Sequence, residues 1–167
     1  MKYRASSLPR IMGCHNSRHD PEMEIDQTSP PAIMGSCVHE ILEISVKNDA
    51  PYMDNNLIAE TCAKYRVDDV KEASILSHIG WKAWENNIKP YLDMDTLIIE
   101  DEIVYQVDDD DVSNHPDILG LNKEGDTLIV SDWKSGYVEY DATDQLRSYA
   151  YAGMTRVIVT GKQSHPL

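Results

Sequence analysis

The chain has 167 residues, of which 41% are hydrophobic and none is phenylalanine. That suits one globular domain with a single packed core, and no window approaches the roughly 18 apolar residues of a membrane span, so no membrane-spanning helix is expected in these residues. The net charge of −14 is uneven, with +3 in residues 1–20, +1 in residues 141–167 and therefore −18 in residues 21–140, a balance that lowers the expectation of tight, purely electrostatic nucleic-acid binding.

Residues 1–31 read as an irregular arm punctuated by Ser6-Ser7, Pro9, Gly13 and Ser29-Pro30-Pro31. The arm opens MKYRASSLPRIMGC, without an apolar stretch of signal-peptide length. Cys14, Cys37 and Cys62 are odd in number and form no CxxC, which predicts reduced thiols and a cytoplasmic protein. A first helix is expected from Ala32 to about Lys47, with Ile33, Val38, Ile41, Leu42 and Val46 on its apolar face. A second covers about 55–66 through Leu57, Ile58, Cys62 and Tyr65. A third covers about 68–89 through Val70, Ala73, Leu76, Ile79, Ala83, Trp84 and Ile88, with Asp68 and Asp69 suiting its positive N-terminal end.

The period then changes. Thr96–Val107, rich in β-branched residues, reads as a strand, and Asp108–Asp111 as a solvated loop. His115–Leu121 is a second strand, turned at Asn122-Lys123-Glu124-Gly125 into a third, Thr127–Trp133. A helix over Asp141–Gly153 and a fourth strand over Thr155–Thr160 complete the order helices, then β-β-β-α-β.

The chemistry concentrates in residues 115–149. Asp117 and Asp132 fall on neighbouring strands joined by a short turn, so their carboxylates can converge. Within the third strand Asp132 and Lys134 share a face, because side chains repeat every two residues. Carboxylates hold a hard, oxygen-seeking cation, and a neighbouring ammonium can position or deprotonate an attacking water and screen phosphorane charge. Gln145 and Tyr149 follow on one helix face, four apart. Hydrolysis of a phosphodiester with a divalent metal fits this set. The bland alternative is two strand-end acids, a surface lysine and an ordinary amphipathic helix.

His-Pro-Asp117, Asp132-x-Lys134 and Gln145-x-x-x-Tyr149 together resemble the signature of the PD-(D/E)xK nuclease superfamily, in its RecB-like and lambda-exonuclease-like branch. The resemblance spans about Met34 to Thr160. It implies an α/β restriction-endonuclease-like fold with a central mixed sheet flanked by helices, here as one nuclease domain over residues 1–167 with its core in 32–160. The implied activity is that of a Mg²⁺- or Mn²⁺-dependent deoxyribonuclease, an exonuclease on DNA ends more than a sequence-specific endonuclease, serving recombination, repair or phage DNA processing. Asp117, Asp132 and Lys134 would be catalytic. The metal would be held by Asp117, Asp132, the Trp133 carbonyl and His39, the last through a Gly35-x-x-x-His39-x-x-x-Glu43 pattern that the branch shares. An imidazole ligand moves preference toward manganese. Gln145 and Tyr149 would line the DNA channel, with Arg4, Arg10 or Arg147 on neighbouring phosphates.

The family often has a further carboxylate on the first strand; Glu100 and Glu102 share a strand face, and the sequence does not choose between them. His115 stands where many relatives carry a small residue, either crowding the site or adding a ligand. Some relatives bind an iron–sulfur cluster through one early and three late cysteines; Cys14 takes the early position, but nothing after Cys62 supplies the rest, so no cluster is expected. His15 and His19 lie in the arm without further ligands and read as solvated. Arg4–Arg10 resembles the arm opening phage-encoded nucleases, which implies a viral or prophage source and the host cytoplasm. DNA is the expected partner, with a homo-oligomer or recombination protein supplying any processivity. The rival readings are an inactive acidic DNA mimic on the same fold, favoured by the charge and the Asp108–Asp111 run, and a structure-specific endonuclease.

Overall fold

Helix α1 begins on two prolines. In the computed structural model, which describes residues 2–4, 29–134 and 142–161, it runs Pro30–Lys47 with Pro30 in its first turn. Proline is well placed there, because its missing N–H would have no intrahelical acceptor and its fixed φ already matches the helix. The expected start at Ala32 is therefore too late, and Ser29-Pro30-Pro31 belongs to the helix entry and not to the arm.

Helix α2 covers Asn55–Tyr65, opened by the Asp54 carboxylate accepting from the Asn56 N–H and closed by Arg66 in the left-handed region at φ 58°. Helix α3 covers Val70–Ala83, with the Asp69 carboxylate accepting from the Glu72 N–H, and continues as a π-turn over Trp84–Ile88. Helices α1, α2 and α3 pack on one another to form one compact unit, residues 29–91 together with 133–134. Its core is Cys37, Val38, Ile41, Leu42, Val46, Ile58, Cys62, Ala73, Trp81 and Trp84. The apolar face of α3 differs from expectation: Ala73, Ser77 and Trp81 are buried, whereas Val70 and Ile79 are exposed. A Cβ on Gly80 would fall 2.6 Å from Leu42 Cδ1, so the close approach of α1 selects the face containing the glycine over the one with the most carbon.

The second unit comprises residues 2–4, 92–132 and α4, Thr143–Gly161. Its strands are β1 (Lys2–Arg4), β2 (Ile98–Ile99), β3 (Ile103–Val107), β4 (Asp110–Asn114), β5 (Ile118–Leu121) and β6 (Leu128–Ser131). They form two sheets, in the orders β1-β4-β3 and β2-β5-β6, with β1 parallel to β4 and every other pair antiparallel. Helix α4 lies on β6, β3 and β4, around a core of Ile103, Leu119 and Ala152. Together the described residues make a mixed α/β chain with four α-helices.

Five sequence expectations change here. The proposed fourth strand, Thr155–Thr160, is the second half of α4; the strand preference of Val157, Ile158 and Val159 yields to context, and Gly153, the expected end of the helix, is carried inside it against Leu119 and Leu128. Thr96–Val107 is two strands, separated where Glu100 takes a left-handed φ of 51°. His115–Leu121 starts late, because Pro116 has no N–H to give a ladder. Asp108–Asp111 is half strand: Asp110 and Asp111 begin β4, while Asp108 and Asp109 turn the chain, Asp108 at φ 53°, a conformation aspartate tolerates better than most residues. The turn at Asn122–Gly125 stands as expected, with Gly125 at φ 74° and the Asn122 side chain accepting from the N–H groups of Asp126 and Thr127. Lys2–Arg4, assigned to the irregular arm, is a strand.

Candidate metal and active site

The two sheets are halves of one long hairpin. Ile98 pairs with Leu119 and Ile99 with Ile118; beyond a three-residue gap Ile103 pairs with Asn114, in the same register. Counting inward from either side sets Glu100 opposite Asp117 and Glu102 opposite His115. The hairpin opens where the acids sit, because Pro116 cannot donate and Glu100 has left the extended region. One backbone bond survives in the gap, from the Glu100 N–H to the Pro116 carbonyl at 3.2 Å.

The carboxylate oxygens of Glu100 and Asp117 come within 4.8 Å of each other, and Asp117 is buried at 4% exposure. Glu102 engages elsewhere. It accepts from Ser113 Oγ at 2.6 Å and lies 3.8 Å from His115 Nε2, both groups near half exposure. The alternative left open by the sequence is thus decided by the backbone at Glu100: the acid facing Asp117 is Glu100, while His115 faces Glu102.

Asp132 extends the same row. β5 and β6 pair Ile118 with Ser131, so one step further sets Asp132 at the register position beside Asp117. β6 ends at Ser131, however, and the alternation expected to align Asp132 with Lys134 holds only inside a strand. Gln145 Nε2 donates to Tyr149 Oη at 2.6 Å and reaches Asp132 Oδ1 at 3.5 Å. Gln145 and Tyr149 are each 3% exposed, so α4 presents them to the acid row as buried neighbours. Ser148, on the same helix, donates to Asn114 Oδ1 at 2.6 Å. Asn114, Ser148 and Tyr105 carry no motif signal, and only the strand register brings them beside the gap.

In the helical unit, His39 lies midway along α1, half-buried, with the Trp133 ring edge-on at 6.4 Å between centroids. Trp133 is buried and Lys134 exposed. Glu40 is held by Lys64, and Glu43, the acid of the Gly35-x-x-x-His39-x-x-x-Glu43 pattern, by Lys47. Arg147 is exposed, with Asp144 at 3.4 Å. Arg4 sits in β1 opposite Ser113. Arg10, Cys14, His15 and His19 lie outside the described residues.

Two facing carboxylates, one of them buried, repel each other, and a divalent cation held between them turns that repulsion into ligation. The oxygen donors suit Mg²⁺, Mn²⁺ or Ca²⁺. Among the described residues no helix is long and apolar enough to cross a membrane. No family model, no curated protein and no solved structure matches this chain.

Proposed function

We propose that this protein is a divalent-metal-dependent deoxyribonuclease, acting on DNA ends. The observation that carries the reading is the row of Glu100, Asp117 and Asp132 at the open segment of the hairpin, with Glu100 and Asp117 oxygens within 4.8 Å. Support comes also from Asp132-Trp133-Lys134 and Gln145-x-x-x-Tyr149, which resemble the signature of PD-(D/E)xK nucleases. Glu100 and Asp117 would hold the cation, with Asp132, His39 and the Trp133 carbonyl as the further donors the resemblance implies. When bound, the cation would act as a Lewis acid toward a phosphoryl oxygen and activate water. Lys134 would orient the nucleophile and screen charge on the phosphorane. Gln145 holds Tyr149 and reaches Asp132, so its role is to fix the carboxylate's orientation.

The test is incubation with end-labelled linear DNA and closed circular DNA, in Mg²⁺, Mn²⁺ or EDTA. Cleavage of the linear substrate alone, abolished by EDTA, is the expected result; cleavage of closed circles would make the protein an endonuclease. A second reading, an acidic DNA mimic without activity, draws on the −18 charge of residues 21–140. Absence of cleavage with every cation, together with binding to a DNA-binding protein, would favour it.

A further inference from the structure

We infer that Asn114 is a positioning residue that anchors the β3–β4 border of the hairpin gap so that Glu100 and Asp117 face each other. The inference rests on the proposed cation site. Asn114 and Ile103 are the last pair before the gap, and Asn114 is fully buried. Its Nδ2 lies 3.2 Å from the Ile103 carbonyl and 3.0 Å from the Val112 carbonyl. Carbonyls only accept, so the amide orientation is fixed: Nδ2 donates to both, and Oδ1 turns to Ser148. Ser148 must then give its one hydroxyl proton to Oδ1, at 2.6 Å, and receive one from Tyr105 Oη, at 2.9 Å. Protons therefore run one way, from Tyr105 on β3 to Ser148 on α4 to Asn114 on β4 and into the backbone. The other border of the gap, Ile99 opposite Ile118, is apolar and has no such clamp.

A buried amide using both donors and its acceptor tolerates little displacement, since each lost bond strands a polar group. The clamp thus fixes where β3 and β4 stop being a ladder, and with it the reach from Glu100 to Asp117. α4 closes the loop: it supplies Ser148 to the clamp and Gln145 to Asp132.

The test compares wild type with Asn114→Leu, which keeps volume but removes the hydrogen bonds, and with the milder Ser148→Ala. Hydrogen exchange of the Glu100 amide, followed by NMR without metal, reports the gap directly; Mn²⁺ affinity by calorimetry reports its use. Asn114→Leu should speed Glu100 exchange about tenfold while β5–β6 amides stay unchanged, and should weaken Mn²⁺ binding by about tenfold or more. Ser148→Ala should shift both in the same direction by a smaller factor, and decides the question should Asn114→Leu not fold. A lower melting temperature with unchanged Glu100 exchange would overturn the inference, leaving Asn114 a core residue only. Wild-type protein that takes no Mn²⁺ would overturn the cation site instead, while the exchange comparison would still decide the role of Asn114.

Discussion

Glu100 and Glu102 are two residues apart and chemically near-identical, yet their surroundings differ. Glu100 faces buried Asp117, whereas Glu102 accepts from Ser113 and sits beside half-exposed His115. Glu100→Gln should therefore weaken Mn²⁺ binding and cleavage together, and Glu102→Gln should leave both within about threefold of wild type, on the scale expected for a residue outside a ligand set. Equal losses in a Mn²⁺ titration of the two variants would remove the distinction. Lys134 is exposed and supplies no ligand in this reading. Lys134→Ala should keep metal affinity and fold but lose about 10²-fold or more in cleavage, the scale of a positioned catalytic group. Full activity on linear DNA with Mn²⁺ would sink that role.

Between elements, small residues and caps decide the packing. A Cβ on Gly153 would meet Leu119 Cδ1 at 2.5 Å and Leu128 Cδ2 at 2.9 Å, so α4 rests on β5 and β6 through a missing side chain. Gly153→Ala should destabilise by about 1–3 kcal/mol, the usual cost of overpacking, read from denaturant midpoints. Arg66 ends α2 at φ 58°; glycine loses no favourable contact in that region, and Arg66→Gly should stabilise by up to about 1 kcal/mol. The α1–α2 contact carries a pH dependence. The Lys64 ammonium, then the Tyr65 hydroxyl, hold the Glu40 carboxyl below its usual 4.5, and the same bond pushes Tyr65 up to about 12. A lowered folded pKa contributes stability that is present at neutral pH and lost as pH falls through 4.5 and below. With Lys64 largely exposed the contribution is small, about 0.5 kcal/mol. Glu40→Gln should accordingly destabilise at pH 7 and cease to do so in strong acid. Lys89 has the opposite sign: Asp49, then Glu85, raise it above 10.5, so its contribution is lost on the alkaline side.

For the whole molecule, the proposed activity requires a chain of net charge −14 to meet DNA. Few phosphates can be neutralised by 15 lysines and arginines set against 29 acids, so a divalent cation bridging carboxylate and phosphate should carry much of the binding. Weak binding in EDTA, a marked gain with Ca²⁺ and a shallow salt slope are expected in a filter-binding or anisotropy titration. Tight, metal-independent binding with a steep slope would contradict this. Changing Arg4 and Arg10 together to alanine should weaken the complex further.

The residues alone determined α1, α2, α3 and the turn, because their signals are local. The apolar spacing from Ile33 to Val46, the aspartate caps before α2 and α3, and Asn122–Gly125 act within a few residues. They determined also that Asp117 and Asp132 belong beside each other, since a short turn leaves adjacent strands little choice. What the tertiary structure decided was everything set by register and neighbours. Val157–Val159 joined α4 despite their β-branching, Ile79 faced out so that Gly80 could admit Leu42, and Glu100 in place of Glu102 met Asp117. Asn114, Ser148 and Tyr105, up to 43 residues apart, became one hydrogen-bonded chain only when the hairpin and α4 closed on each other. Such contacts have no period and no spacing in the chain, because they exist between elements and not within them.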